Sequence, residues 1–133
     1  MGANRPMNHR FVVLEHTPGR LFKRQLQPHF DWMFESDGGL LTWATAPIDF
    51  FEKQLVVVAR PLPVHRLRYL DFEGDIGEDR GEVRQRIAGD YALLRRDEQH
   101  FAVEIQWPRE GEPRHHRQVR FDCDSGKWRL SLC

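Results

Sequence analysis

The sequence predicts an all-β protein, built as a small antiparallel β-barrel with at most a short helix. Apolar residues recur at every second position or form short β-branched runs, and long stretches of 3.6-residue periodicity are missing. Turn signals rich in Gly and Asp separate these runs. A chain of 133 residues fits one domain and can bury its own core. An antiparallel sandwich is the alternative arrangement of the same strands.

Four strands are predicted in the first half of the chain, over residues 11–15, 30–34, 40–44 and 55–59. The turn signal Asp37-Gly38-Gly39 joins the second and third of them into a hairpin. The fourth contains three consecutive valines and is expected to stop at Pro61 and Pro63, because proline cannot donate a ladder hydrogen bond.

Two further hairpins are predicted in the second half. Residues 91–94 and 101–107 flank the polar stretch 95–100, and the alternating residues 119–123 and 128–132 flank the turn Asp124-Ser125-Gly126. One or two helical turns are expected within residues 78–88. We expect residues 1–9 to be a flexible leader and residues 10–133 to form a single domain.

Charge excludes a strong global attraction to nucleic acid, since Lys+Arg and Asp+Glu both number 20 and the formal net charge is zero. Polyanion binding then requires a local cluster. The candidates are Arg20 with Lys23 and Arg24, Arg66 with Arg68, and the stretch 114–120. Each cluster taken alone is more typical of a solvated surface. The adjacent pair His115-His116 is interpreted in the same way, as part of a solvated loop.

Cysteine content excludes a structural zinc site built on thiolates. Cys123 and Cys133 are the two cysteines, and no C-x-x-C spacing is present. No apolar run approaches the roughly 18 residues of a membrane span. We therefore expect no membrane association and a reducing, cytoplasmic location.

The segment His29-Phe30-Asp31 offers the strongest chemical signal. On a β-strand, residues i and i+2 project from the same face, so His29 and Asp31 point together while Phe30 faces the other way. With His16 upstream, they present two imidazoles and one carboxylate to a single cation. Such a ligand set suits a catalytic divalent metal such as zinc, manganese or iron.

A family resemblance rests on motifs in a fixed order along about half of the chain, from Arg10 to Gly74. The motifs are Arg10-Phe11-Val12-Val13-Leu14-Glu15-His16, His29-Phe30-Asp31 with Glu35, Asp37-Gly38, Trp43-Ala44, and His65-x-Leu67-x-Tyr69-Leu70-Asp71-Phe72-Glu73-Gly74. Together they resemble the 3′-phosphoesterase domain of bacterial DNA ligase D and its stand-alone relatives.

This resemblance implies a metal-dependent enzyme, typically using manganese, that removes 3′-phosphates or 3′-ribonucleotides from DNA during repair. The matching positions imply His16, His29 and Asp31 as metal ligands. His65 and Tyr69 match the family's active-site His and Tyr, and Arg20 matches an arginine that binds phosphate. Implied partners are the 3′ end itself and a DNA ligase or polymerase that delivers it. Asp71 and Glu73 are instead predicted to form turns or cap backbone groups.

The chain departs from the family pattern in three places, and two of them, Met33 and the segment after Gly74, favour an alternative function. Met33 stands where the family has an arginine, and a thioether cannot replace its charge or its bidentate geometry. Residues 22–28 are an insertion that brings Lys23 and Arg24 near the predicted metal, and one of these or Arg20 is a candidate replacement for the lost charge. The glycine-rich segment expected after Gly74 is replaced by an acidic one. The alternative is a catalytically impaired nucleic-acid or protein binding module that keeps the barrel, with or without the metal.

Overall fold

Nine β-strands make up most of the computed structural model, which describes residues 9–19, 27–109 and 112–133. The strands are β1 (His9–Pro18), β2 (His29–Ser36), β3 (Gly39–Thr45), β4 (Leu55–His65), β5 (Gly74–Asp75), β6 (Gly81–Asp97), β7 (His100–Arg109), β8 (Glu112–Asp124) and β9 (Lys127–Leu132). A single 3₁₀ helix, Leu67–Leu70, is present among the described residues. β1 thus begins inside the expected leader, at His9.

The sheet closes into a ring. Its strand order is β1-β2-β3-β4-β9-β8-β7-β6, and β6 pairs back onto β1. Each of these pairings is antiparallel. The two-residue β5 lies outside the ring and pairs with β6. The predicted all-β class is confirmed, with a 3₁₀ turn as the short helix.

The predicted hairpins are confirmed, and two of their turns follow from glycine at the tip. Asp37 and Gly38 have φ of 49° and 80°, and Ser125 and Gly126 have φ of 54° and 79°. Two consecutive residues with positive φ define the type I′ turn, whose twist matches that of paired strands.

The main core fills the ring and is aromatic. Trp43 stacks on Phe121 with ring centroids 4.3 Å apart, and Phe34 meets Phe101 edge to face at 5.0 Å. The Tyr91 hydroxyl donates a 2.6 Å hydrogen bond to the Glu35 carbonyl. Buried aromatic rings in these arrangements contribute through both area and geometry. This core fills the interior of the ring, which leaves the outer face as the place for a binding site.

A second, smaller core lies on the outer face of β1 to β3. Its buried members are Val12, Leu14, Met33, Leu40, Leu70 and Val83. Leu70 comes from the 3₁₀ helix and Val83 from the start of β6, so these segments cover the outer face of the ring. Tyr69, Phe72 and Ile76 pack against the same cluster from the rim.

Three local expectations are wrong. Residues 78–88 are not helical, because Gly81 starts β6 and pairs with Pro18. Pro61 and Pro63 do not end β4. Residues 60–65 still pair with β3, but β9 pairs only with residues 55–59, so no neighbouring strand on that edge requires the missing proline N–H groups. Residues 115–116 are not a loop, because β8 carries them opposite Trp107 and Gln106.

None of the helical segments among the described residues is long and apolar enough to cross a membrane.

Candidate metal centre and its cleft

His16, His29 and Asp31 meet on the outer face of the ring, beside the second core. Along β2 the even residues Phe30 and Trp32 enter the main core, so the odd residues face outward. His16 is the direct partner of His29 across the β1 to β2 ladder. Strand alternation and register together therefore bring the three side chains to one place, as the sequence predicts.

The three side chains converge closely. Their ligand atoms all lie within 4.8 Å of one another. His29 Nε2 is central, 3.3 Å from His16 Nδ1 and 3.1 Å from Asp31 Oδ1. His29 is 8% exposed and Asp31 is 4% exposed. The Asp31 carboxylate and the His29 ring are thus withdrawn from water, while His16 is half-buried.

A backbone carbonyl sets the hydrogen-bond role of His16. His16 Nε2 lies 3.0 Å from the Arg80 carbonyl, which can only accept, so this contact places the His16 proton on Nε2. Its Nδ1 then presents a lone pair. Asp31 Oδ1 is buried and accepts no well-aligned hydrogen bond, although His29 Nε2 lies 3.1 Å away. The lone pairs of His16 Nδ1 and Asp31 Oδ1 thus converge around His29 Nε2, where either its proton or a bound cation stabilises them.

The spacing also fits a metal. Donor atoms held about 2.1 Å from one ion lie roughly 3.0 to 3.4 Å apart along the edges of an octahedron or tetrahedron. The distances of 3.1 and 3.3 Å around His29 Nε2 fall in that range, whereas the whole set spans up to 4.8 Å, so the side chains must close in slightly to hold one ion. The three residues therefore suit a divalent ion with further positions open.

A β-bulge turns His65 toward the same face. Thr42 pairs with Leu62, but Leu40 pairs with His65, so β4 carries one extra residue between these two points. An extra residue reverses the alternation of the strand beyond it. His65 therefore joins the outer face that Leu40 occupies. Its Nδ1 lies 2.7 Å from the Pro63 carbonyl, which leaves Nε2 available to a ligand.

The 3₁₀ helix after β4 brings Tyr69 to His65. Their rings meet edge to face with centroids 5.9 Å apart. The Tyr69 amide donates to the Arg66 carbonyl at 3.1 Å, which fixes the turn. His65 and Tyr69 thus come together through a turn rather than a strand, and Tyr69 also packs on the second core.

All five residues line one open cleft of about 650 Å³. Four arginines line it as well, namely Arg60, Arg66, Arg68 and Arg80, against the single carboxylate of Asp31. A chain with zero formal net charge therefore concentrates positive charge at this cleft. The sequence pointed to Arg66 and Arg68 as a pair but missed the other two.

Register explains why Arg60 belongs to the cleft. Asp31 pairs with Ala44, and Ala44 pairs with Arg60, so the three residues form a row across β2, β3 and β4. The small side chain of Ala44 separates the carboxylate from the guanidinium stem. No sequence pattern gives this row, because it depends on pairing between distant strands. Arg80 is brought in by the turn that precedes β6.

Met33 does not contribute charge to the cleft. It lies two residues beyond Asp31 on the same face, and it is 1% exposed within the second core. Three other cationic candidates, Arg20, Lys23 and Arg24, lie outside the described residues.

Asp71 and Glu73 serve the scaffold beside the cleft. Arg10 Nη2 donates to Asp71 Oδ1 at 2.6 Å, and this hydrogen bond holds the pKa of Asp71 below its usual value. Glu73 Oε2 accepts from the Gln85 amide at 2.8 Å. Both contacts tie the segment after the 3₁₀ helix to the ring, in line with the predicted capping role of Glu73.

Comparison of the sequence with models of known protein families finds no match, and comparison with curated proteins finds none.

Proposed function

We propose that this protein is a divalent-metal-dependent phosphoesterase that processes 3′ ends of DNA, removing a 3′-phosphate or a 3′-ribonucleotide. The observation that carries the proposal is the convergence of His16, His29 and Asp31 in a cleft lined by four arginines. A cation paired with several guanidinium groups is suited to a phosphate ester. The family resemblance described above points to the same chemistry.

In this proposal His16, His29 and Asp31 hold the ion, with manganese as the first choice and zinc as another. When bound, a divalent cation supplies Lewis-acid polarisation of a phosphoryl oxygen. The Arg80 carbonyl keeps the His16 proton on Nε2 and thereby orients its Nδ1. Burial of Asp31 keeps competing water away from its carboxylate.

His65 and Tyr69 act on the phosphate from the opposite wall. The Pro63 carbonyl holds the His65 Nδ1 proton, so Nε2 faces the ligand. As a water oxygen forms its bond to phosphorus, a protonated Nε2 donates its proton to the departing sugar oxygen as a general acid. Tyr69 donates a hydrogen bond to a phosphate oxygen from a ring held against His65.

The decisive experiment compares metal-free and manganese-loaded protein on a 3′-phosphorylated primer-template and measures phosphate release. We expect release only with metal, and none from His29→Ala. The matched control is His100→Ala, because His100 pairs with Asp122 on the far side of the ring. No release with any divalent metal from a folded protein contradicts the enzyme proposal and leaves the impaired binding module.

Zero net charge argues against tight autonomous binding to DNA, so a DNA ligase or polymerase that delivers the end is part of the proposal. A cytoplasmic location belongs to it as well. A test for the partner is a pull-down with and without a nicked duplex carrying a 3′-phosphate.

A further inference from the structure

We propose that Arg66 is a phosphate-binding residue of this cleft, supplying a guanidinium that Met33 cannot supply. The inference rests on the proposed function for the identity of the bound group and adds the residue that recognises it. It also makes inorganic phosphate alone a ligand of the protein.

Two of the cleft arginines are already engaged. Arg80 donates to the Ile76 carbonyl at 2.8 Å and to the Gly77 carbonyl at 3.3 Å, which holds the turn before β6. The Arg68 guanidinium lies 4.7 Å from the centroid of Phe72 and 5.4 Å from that of Tyr69. Cation–π contacts of this kind fix the guanidinium against the second core. Both side chains therefore have scaffold roles.

Arg66 differs from these two. Its side chain is exposed and lines the cleft, and it makes no hydrogen bond, ion pair or ring contact within the part of the chain that the structure describes. Binding an anion there breaks no existing contact. An arginine presents up to five donors in a planar fork that matches the oxygens of phosphate.

The backbone places Arg66 between the two residues proposed to act on the phosphate. It follows His65 directly and precedes the 3₁₀ helix, with φ of −76° and ψ of 144°. Its carbonyl accepts the Tyr69 amide at 3.1 Å, so the backbone of this turn is fixed. The flexible part of Arg66 is its side chain, which reaches from the rim into a cleft whose walls are set.

The outer face of β2 cannot supply the positive charge that binds phosphate, whereas the exposed rim after β4 can. The outward position after Asp31 on β2 belongs to Met33, which is sealed under Leu70 and Leu40 in the second core. A guanidinium there would be buried without a carboxylate partner, at a high cost. The exposed rim after β4 carries no such cost.

The test is isothermal titration with inorganic phosphate, using metal-free and manganese-loaded protein. Arg66→Ala is expected to weaken phosphate binding roughly 10- to 100-fold while manganese uptake stays unchanged. Arg66→Lys restores the charge without the fork, and we expect it to recover part of the affinity. Arg120→Ala, on β8 across the ring, is the matched control and should bind phosphate like the native protein.

The outcomes separate the two proposals. Native phosphate affinity in Arg66→Ala, or no phosphate binding by the native protein, overturns the role of Arg66 whether or not hydrolysis occurs. The protein could instead bind phosphate through Arg66 and release no phosphate from 3′-phosphorylated DNA with any divalent metal. That result supports the role of Arg66 and contradicts the phosphoesterase function.

Discussion

His65 lies opposite Leu40 across the β3 to β4 ladder, where regular pairing from Thr42 and Leu62 would place Val64. The extra residue is the reason that an imidazole, rather than a valine, faces the metal ligands. Deleting Val64 would leave His65 opposite Leu40, but inserting one glycine after Val64 should move His65 one position along the ladder and turn it away from the cleft.

We expect the protein with this glycine insertion to fold and to take up manganese, but to lose phosphate release. Circular dichroism, metal titration and the primer-template assay measure the three properties. Val64→Gly, which keeps the chain length, is the control and should retain release. Equal activity in the insertion variant would show that the orientation of His65 is irrelevant.

Metal binding should stabilise the fold through Asp31. A ligand present at 100 times its dissociation constant contributes about 2.7 kcal/mol, which raises the Tm of a chain of this size by about 10 °C. Asp31→Asn should remove this rise, because it replaces the carboxylate whose Oδ1 is buried without a hydrogen bond. Thermal melts with manganese and with a chelator test the prediction. A full metal-induced rise in Asp31→Asn would contradict the ligand assignment.

Gly81→Ala should destabilise the fold by about 3 kcal/mol. Gly81 has φ of 103°, and an added Cβ would lie 2.0 Å from the Thr17 carbonyl oxygen. Manganese affinity should fall as well, since the turn before Gly81 carries the carbonyl that orients His16. Gly126→Ala is the control, because its φ is 79° with nothing near an added Cβ, and it should cost about 1 kcal/mol. Equal losses in urea unfolding would refute the steric argument.

Alkaline stability should depend on Tyr91. Burial raises the pKa of Tyr91 to about 12, so the folded state favours the neutral phenol. That preference contributes stability below the ordinary tyrosine pKa of about 10, and on the order of 2 to 3 kcal/mol is lost as pH rises from about 10 to about 12.

Urea unfolding between pH 8 and pH 12 checks this dependence. Tyr91→Phe should be about 1 kcal/mol less stable at pH 8, since the hydrogen bond to the Glu35 carbonyl is lost, but its stability should decline less at high pH. Tyr69→Phe keeps the buried phenol of Tyr91 and should decline like the native protein. An identical decline in Tyr91→Phe would contradict the assignment.

Substitutions in the two cores should have similar effects on stability but different effects on phosphate binding. Leu130→Ala in the main core should cost about 3 kcal/mol and leave metal and phosphate affinity unchanged. Leu70→Ala in the second core should cost a similar amount and also weaken phosphate binding, because Leu70 anchors the 3₁₀ helix that carries Tyr69. Unfolding experiments and phosphate titrations on both variants measure the difference. Equal phosphate affinity in the two variants would contradict a separate role for the second core.

The sequence predicts much of this fold because its strands are locally encoded. Alternation along β2 places His29 and Asp31 on one face, and the glycine turns at Gly38 and Gly126 define hairpins. Local sequence does not determine on which face of the ring the site lies. It depends on the closure of β6 onto β1 and on the segments that cover the outer face.

The errors share one physical origin, which is pairing with a distant strand. Pro61 and Pro63 read as a strand end, yet β3 supports one edge of β4 where β9 has already stopped. The polar segment at His115 has little apolar alternation, yet β7 supplies its hydrogen bonds. Convergence of Arg60 and Arg80 on the cleft is also non-local. Arg60 is placed by the pairing of β4 with β3, and Arg80 by the turn before β6.

The alternation of β2 makes its length more important than any one of its residues. Substituting Phe30 damages the interior, and substituting His29 damages the chemistry, so each change injures one side of the strand. An insertion or deletion that shifts the whole strand by one residue against β1 and β3 exchanges both sets at once, placing imidazole among the stacked rings and phenyl in the cleft. Variation in this strand should therefore be tolerated as substitution long before it is tolerated as a change in residue number.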